Sequence, residues 1–280
     1  MSFFGISYRK LERIKGANNS LVYLSDCTDF GKIVVKIFAN RERYFSEVDA
    51  IIRLSGLDVI PELIGHGEFS AEMYAVVLSW LPGISSENLT WDAGIAREVG
   101  ATLARLHLWT RDDQKSESGG ADKWKSSFCS DMHARLEMCR SENMPFDFDS
   151  IQNRLVTALA SVTDCTPFCL THQDFHAGNV LLYKNKVSGI VDFEYSCYAP
   201  FFLDLTYVYG GLFELCERSR LEFLDSYFKK FEITGFDVDI LHHFSLFKSI
   251  ACLSWCLKMG KAGGPFFLKN LNLVRLLQGD

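Results

Sequence analysis

Two short apolar runs with acidic and amide side chains set at their ends constrain this chain more than any other stretch. Between Leu170 and Ser196 the sequence reads LTHQDFHAGNVLLYKNKVSGIVDFEYS. Val180, Leu181 and Leu182 form one run, Ile190, Val191 and Phe193 the other, with a turn at Lys184–Lys186 between them. Asp174 and Asn179 lie before the first run, and Asp192 ends the second. Carboxylates beside apolar strands are costly to desolvate unless something pairs with them, and a metal ion is one such partner. The plainer alternative is that these groups cap turns and hydrogen-bond to backbone.

The rest of the chain divides around this stretch. LVYLS (Leu21–Ser25), KIVVKIF (Lys32–Phe38) and MYAVVLSWL (Met73–Leu81) are rich in β-branched and aromatic residues and predict strands. Between the last two, Tyr44, Phe45, Val48, Ile51 and Ile52 recur at helical spacing, with Asn40 as N-cap and Gly56 as the stop. After WLPG (Trp80–Gly83), Ile95, Val99, Leu103 and Leu106 predict a helix capped by Thr90. The polar stretch Arg111–Ser127 reads as an exposed loop, and helical spacing returns over Met132–Met138 and Ile151–Val162. From about Phe202 the chain reads as helical again. The expectation is a small β-rich lobe over residues 1–80, a pivot, and a larger helical lobe over residues 81–280.

Size and composition narrow the function. A chain of 280 residues fits one large domain or two lobes, and 48% hydrophobic residues with 23 Phe can build a sizeable core. A net charge of -6 argues against nucleic-acid binding, which normally needs a basic face, and is compatible with a cationic small substrate. The nine Cys are scattered; neither Cys165/Cys169 nor Cys252/Cys256 is completed into a zinc site, so buried thiols in a reducing compartment are expected. No run reads as a membrane span, and MSFFGISYRKLERIKG lacks the order of a signal peptide, which makes cytoplasmic placement the expectation.

Two constellations carry chemistry. In KIVVKIF, Lys36 sits in an apolar strand, where a lysine either snorkels from an edge or meets a fixed anion. Glu47 lies three residues after Tyr44 and four before Ile51, on the inward side of the predicted helix. His172, Asp174 and Asn179 form H-x-D-x4-N, the spacing of a protein-kinase catalytic loop. A hydroxyl nucleophile needs a carboxylate to orient it and take its proton, which suits Asp174. Magnesium prefers oxygen ligands, which Asn179 and Asp192 can give. His172 and His176 are alternatively metal ligands by residue type.

THQDFHAGNVLL followed by GIVDFEYS resembles the aminoglycoside phosphotransferase and choline kinase superfamily, relatives of protein kinases that phosphorylate small molecules. The resemblance covers nearly the whole chain and implies an α+β, two-lobed protein-kinase-like fold. It places Lys36 and Glu47 as the ion pair that steadies the phosphates of ATP, with GTP left open. It makes NNSLVYLS the nucleotide loop and second strand, with Ser20 near the nucleotide, and LSWLPG the hinge, with Ser79 and Leu81 lining it. Asp174 becomes the base, Asn179 and Asp192 the Mg2+ ligands, and His172 a structural histidine. LARLH, ending at His107, and Asp204 in PFFLDL match a recurrent helix ending and an acidic brace.

DFEYS recurs in choline and ethanolamine kinases, so Glu194 and Tyr195, with Trp255 on a later helix, become candidates to hold a cationic acceptor. Trp255 is alternatively a core residue. The implied reaction moves the γ-phosphoryl group of Mg-ATP to a hydroxyl of a small molecule, an amino sugar or amino alcohol. Homoserine, thiamine and sugars remain alternative acceptors, and a pseudokinase without turnover is the reading from a different class.

Overall fold

The computed structural model describes residues 2–7, 9–14, 20–111, 120–210 and 215–279. Gly16 to Asn19 of the expected nucleotide loop and residues 112–119 of the polar stretch lie outside them. The chain forms two compact units, Met1–Thr90 with His172–Cys197, and Trp91–Thr171 with Tyr198–Asp280.

The first unit opens with β1 (Ser2–Phe3) and β2 (Ile6–Ser7), then β3 (Glu12–Ile14), β4 (Leu21–Cys27) and β5 (Gly31–Phe38). Helix α1 (Arg41–Arg53) follows, then β6 (Leu63–Ser70), β7 (Met73–Ser79) and the short β8 (Ile84–Ser85). Five of these strands form an antiparallel sheet in the order β3-β4-β5-β7-β6. Strand β5 is central, with Lys36 paired to Val22 on one side and Val76 on the other. Its side chains explain the placement: Ile33, Val35 and Phe38 are fully buried, as a β-branched and aromatic run should be.

Asn40 caps α1 by accepting a hydrogen bond from the Arg43 N–H at 2.9 Å. The helix buries Tyr44, Glu47, Val48 and Ile51, whereas Phe45 and Ile52, expected on the inward stripe, are half exposed. The inward face is therefore narrower than the apolar residues suggested, and a carboxylate occupies part of it.

The chain then supplies the second unit with α2 (Ala93–Thr110), α3 (Gly120–Ser141), α4 (Phe148–Ala160) and β9 (Phe168–Thr171). It returns to the first unit as β10 (Val180–Tyr183) and β11 (Lys186–Ile190), an antiparallel hairpin closed by Lys184 and Asn185. Both turn residues have positive φ, 51° and 59°, the pair a tight hairpin turn requires. Strand β12 (Cys197–Pro200) pairs with β9, and α5 (Thr206–Tyr209), α6 (Glu217–Phe231), α7 (Asp239–Lys258) and α8 (Pro265–Gln278) complete the second unit.

Asp92, not Thr90, caps α2, accepting from the Ile95 N–H at 2.8 Å. Helix α3 begins at Gly120, so the second half of the expected loop is helical; Trp124 anchors it by packing on Phe128, Phe168 and Phe244. Gly100 lets α2 approach α6 closely, since a Cβ there would collide with the Phe223 carbonyl. Helix α7 has the length and mean hydropathy of a membrane span, which the sequence reading did not anticipate, but 67% of that window is buried inside the protein. It reads as a core helix.

Candidate active site

The segment His172–Ser196 is anchored by its own histidine. His172 is fully buried; its Nε2 donates to the Val191 carbonyl at 2.9 Å, and its Nδ1 accepts from the Asp174 N–H at 3.3 Å. A ring that donates from Nε2 and accepts at Nδ1 carries its proton on Nε2, so His172 staples the start of the loop to the residue before Asp192. The backbone on both sides is held in an unusual conformation: Gln173 and Asp192 have φ of 64° and 72°. A non-glycine residue pays for the left-handed region, and such strain is typical where a side chain must be aimed.

Asn179 is oriented as firmly. Its amide nitrogen donates to the Asp174 carbonyl at 2.9 Å, which directs its amide oxygen the other way, and its own carbonyl accepts from the Val191 N–H at 3.0 Å. Ser85 and Ser86 donate to the Gly178 and Ala177 carbonyls at 3.1 and 2.8 Å, and β8 pairs with β10. The His176 Nδ1 accepts from the Gly178 N–H at 3.0 Å, and its Nε2 lies 3.6 Å from Asp174 Oδ2. Burial works against a charge on His176, but the neighbouring Asp174 carboxylate outweighs it and the imidazole is held above its ordinary basicity.

Lys36 stands between two carboxylates. Its Nζ lies 2.9 Å from Glu47 Oε2 and 2.7 Å from Asp192 Oδ1. Burial opposes its charge, yet the two carboxylates together hold it protonated well beyond the usual lysine range. Burial would raise the Asp192 carboxyl as well, but Lys36 outweighs it and Asp192 stays ionised. Glu47 is the loser of this competition. Its carboxyl is pushed up to about 7 by burial, with Asp192 and Glu194 adding to the push against the pull of Lys36. Its Oε1 is buried without a hydrogen bond.

The expected hinge packs on the β10–β11 hairpin. Leu81 sits against Gly189, where a Cβ would meet its Cδ1 at 2.7 Å, and the Ser188 hydroxyl donates to the Pro82 carbonyl. Gly83, at φ 125°, lies where a Cβ would strike Leu182 and Ser188. Ser79 uses its hydroxyl to accept from the Glu62 N–H at 2.9 Å, bracing β6 to β7, and Ser20 is buried at the start of β4.

Magnesium fits this donor set. Asn179 and Asp192 offer hard oxygens, and Asp192 stays ionised beside Lys36 with 39% of its side chain exposed. Among the described residues no three His, Cys, Asp or Glu form a metal cage. A cation here would need the phosphates of a nucleotide and water to complete its shell, as magnesium usually does.

Residues 10–241 match the model of the phosphotransferase enzyme family. The chain belongs to that family. A homoserine kinase of Neisseria meningitidis serogroup B is 24% identical over 232 residues, covering 80% of this chain and 71% of its own. Two solved structures share the fold. One is a thermostable mutant of an aminoglycoside phosphotransferase in a ternary complex with ADP and hygromycin B, with a TM-score of 0.71, 12% identity, and 97% of this chain and 94% of that one covered. The other is the choline kinase of Cryptosporidium parvum Iowa II, with a TM-score of 0.64, 14% identity, and 96% and 88% covered. The kinase-like α+β fold is thus the one expected, and the protein is a small-molecule kinase.

In this phosphotransferase the three residues expected to hold a cationic acceptor are each engaged with a cation of the chain itself. Arg43 Nη1 lies 3.5 Å from Glu194 Oε1, and the guanidinium carbon sits 4.7 Å from the Tyr195 ring centroid. Trp255, in the second unit, packs on Phe266 and carries Lys261 Nζ 4.6 Å from its ring centroid. Arg43 is a member of the cluster with Glu194 and Tyr195 that the sequence pattern did not single out. The signal was there: it lies four residues before Glu47, on the same face of α1.

In the second unit, Asp204 Oδ2 is 3.0 Å from His107 Nε2, and His107 Nδ1 is 2.7 Å from the Tyr227 hydroxyl. The two motifs noticed separately, LARLH and PFFLDL, are partners in one buried network. Burial, reinforced by Cys169 and Asp204, raises the Tyr227 phenol well above its ordinary range.

Proposed function

We propose that this protein transfers the γ-phosphoryl group of ATP to the hydroxyl of a small molecule bearing an ammonium group. The observation that carries this reading is the gathering of Asp174, Asn179, Asp192 and Lys36 in one unit, with His172 fixing the loop between them. In the reaction a bond forms between the acceptor oxygen and the γ-phosphorus while the bond to the β–γ bridging oxygen breaks. The hydroxyl proton passes to Asp174, whose side chain is one-third exposed and so reachable. Magnesium, when bound, would be held by Asn179 and Asp192 and would neutralise phosphate charge. Lys36, steadied by Glu47, orients the phosphates, and most of the rate comes from positioning and charge compensation.

An amino sugar or amino alcohol is the first choice of acceptor. The match to a homoserine kinase favours a second reading, homoserine itself. Buried thiols at Cys27, Cys139 and Cys256 suit work in a reducing compartment such as the cytoplasm. The deciding experiment measures magnesium-dependent ATP consumption against aminoglycosides, choline, ethanolamine, homoserine, thiamine and neutral sugars. Turnover with an ammonium-bearing alcohol is expected. ATP binding without turnover on any acceptor would leave a pseudokinase, and a neutral sugar as best acceptor would overturn the ammonium requirement.

A further inference from the structure

The segment that follows Asp192 is fastened to α1 at more points than the Lys36 pair needs. Arg43, one turn before Glu47, reaches Glu194 at 3.5 Å and lies over the Tyr195 ring at 4.7 Å. The Ser196 hydroxyl donates to the Ser46 carbonyl at 3.2 Å. Glu194 is buried, with a side chain only 3% exposed, so its charge depends on what the protein supplies. Arg43 is a quarter exposed and can bring its planar guanidinium to both a carboxylate and an aromatic face.

These contacts close a ring. Lys36 joins Glu47 of α1 to Asp192; Arg43 joins the same helix to Glu194, two residues further on. We propose that Arg43, Glu194 and Tyr195 form a clasp that holds α1 in register with the metal-ligand segment, making Arg43 and Glu194 positioning residues for the phosphate-binding lysine. The proposal rests on the kinase reading above for its consequence, though not for the contacts themselves. The clasp gives DFEYS a reason that involves no acceptor. Asp192 is aimed by its left-handed backbone, Glu194 and Tyr195 grip the helix, and Ser196 ties the segment to the helix backbone.

Without Arg43, the buried Glu194 would lose a cationic partner while still acting electrostatically on Lys36 and Glu47. Lys36 would then be drawn toward excess negative charge, and α1 would lose a fastening next to Glu47. Glu194→Gln removes the opposite partner and should have the same consequence for α1 by a different route.

The test measures two quantities in the full-length protein: magnesium-dependent binding of a fluorescent ATP analogue, and hydrogen exchange of the α1 amides. Arg43→Met and Glu194→Gln should each weaken analogue binding about tenfold and speed exchange across residues 41–53 about tenfold, as a lost charged contact of about 1.4 kcal/mol implies. The exchanged pair Arg43→Glu with Glu194→Arg should recover both to within about threefold, since reversal restores the attraction. Should Glu194→Gln fail to fold, Arg43→Lys and Tyr195→Leu carry the same readouts with smaller losses.

Unchanged exchange and binding in the single variants would overturn the clasp, as would a double variant no better than either single one. If the wild-type protein does not bind the analogue, the kinase reading fails while the exchange data still decide the clasp. Once an acceptor is known, Glu194→Gln should lower kcat and leave the acceptor KM in place. A rise in that KM alone would overturn the clasp and make Glu194 an acceptor ligand.

Discussion

Each unit of this phosphotransferase buries a charged network, and the two are built on opposite terms. In the second unit, His107, Asp204 and Tyr227 meet at 3.0 and 2.7 Å, all within the core. In the first, Lys36 is shared between Glu47 and Asp192, Glu194 adds a third carboxylate, and Asp192 keeps 39% of its side chain exposed. Closure makes a brace, because every buried polar group then has its partner. An open edge leaves Asp192 accessible, as the cation-binding role proposed for it requires. Burial of charge alone therefore does not mark a catalytic site.

The largest effect that would sharpen this contrast lies at the open edge of the first network. Asp174→Ala should cut turnover by about 10³-fold while nucleotide binding and melting temperature stay close to wild type, because a general base contributes on that order. A variant retaining most of its turnover would remove Asp174 from the role. The closed network should respond in the opposite currency. Asp204→Ala leaves His107 and Tyr227 buried beside a lost acceptor and should cost about 3 kcal/mol of stability, read by denaturant unfolding. An Asp204→Ala protein as stable as wild type would break the distinction between brace and site.

The sequence made one network more legible than the other. Asp174, Asn179 and Asp192 stand out because, with His172, they fall at the short H-x-D-x4-N spacing followed by a carboxylate at the end of the next strand. His107 and Asp204 are 97 residues apart, so their pairing depends on packing that no local pattern reveals. Strand β6 escaped for a related reason. LIGHGEFS has two glycines and a single β-branched residue, and its conformation is set by pairing with β7. Gly65 there admits Ile6, whose Cδ1 would lie 3.1 Å from an added Cβ. The α3 start was hidden in polar residues because Ala121 and Trp124 are the two apolar side chains of its first two turns. Local chemistry is read easily from spacing; partners supplied by tertiary packing are not.

A smaller effect should appear in the pH dependence of the first network. Glu47 has an ordinary carboxyl value of 4.5 raised to about 7 in the folded protein, chiefly by burial and despite Lys36. The folded state therefore binds more protons than the unfolded state between these values. Stability from this group is full below about 4.5 and is lost as pH rises through about 7. Glu47→Gln removes the titration, so the stability of wild type relative to the variant should fall as pH rises across that window. Lys36, Asp192 and Glu194 are the charged groups facing Glu47, and all three remain in the variant. A difference that does not change with pH, or that rises, would show Glu47 fully ionised beside Lys36.

The smallest effect separates the two aromatic faces. Tyr195 carries Arg43 and Trp255 carries Lys261, at 4.7 and 4.6 Å from the ring centroids, so both look like ready ammonium sites already taken by the chain. Their settings differ. Arg43 is also paired with buried Glu194, whereas Lys261 is itself exposed beyond the end of α7 and Trp255 is half-buried against Phe266. An exposed cation–π contact is worth about 0.5–1 kcal/mol. Lys261→Ala should thus lower stability by no more than that and leave the KM of the best acceptor within about twofold. An acceptor ammonium using the Trp255 ring would compete with Lys261, so removing the lysine would lower the acceptor KM and Trp255→Ala would raise it. Opposite shifts in that pair of variants would restore Trp255 as an acceptor contact; unchanged KM in both, with ATP KM also unchanged, would leave it a packing residue of the second unit.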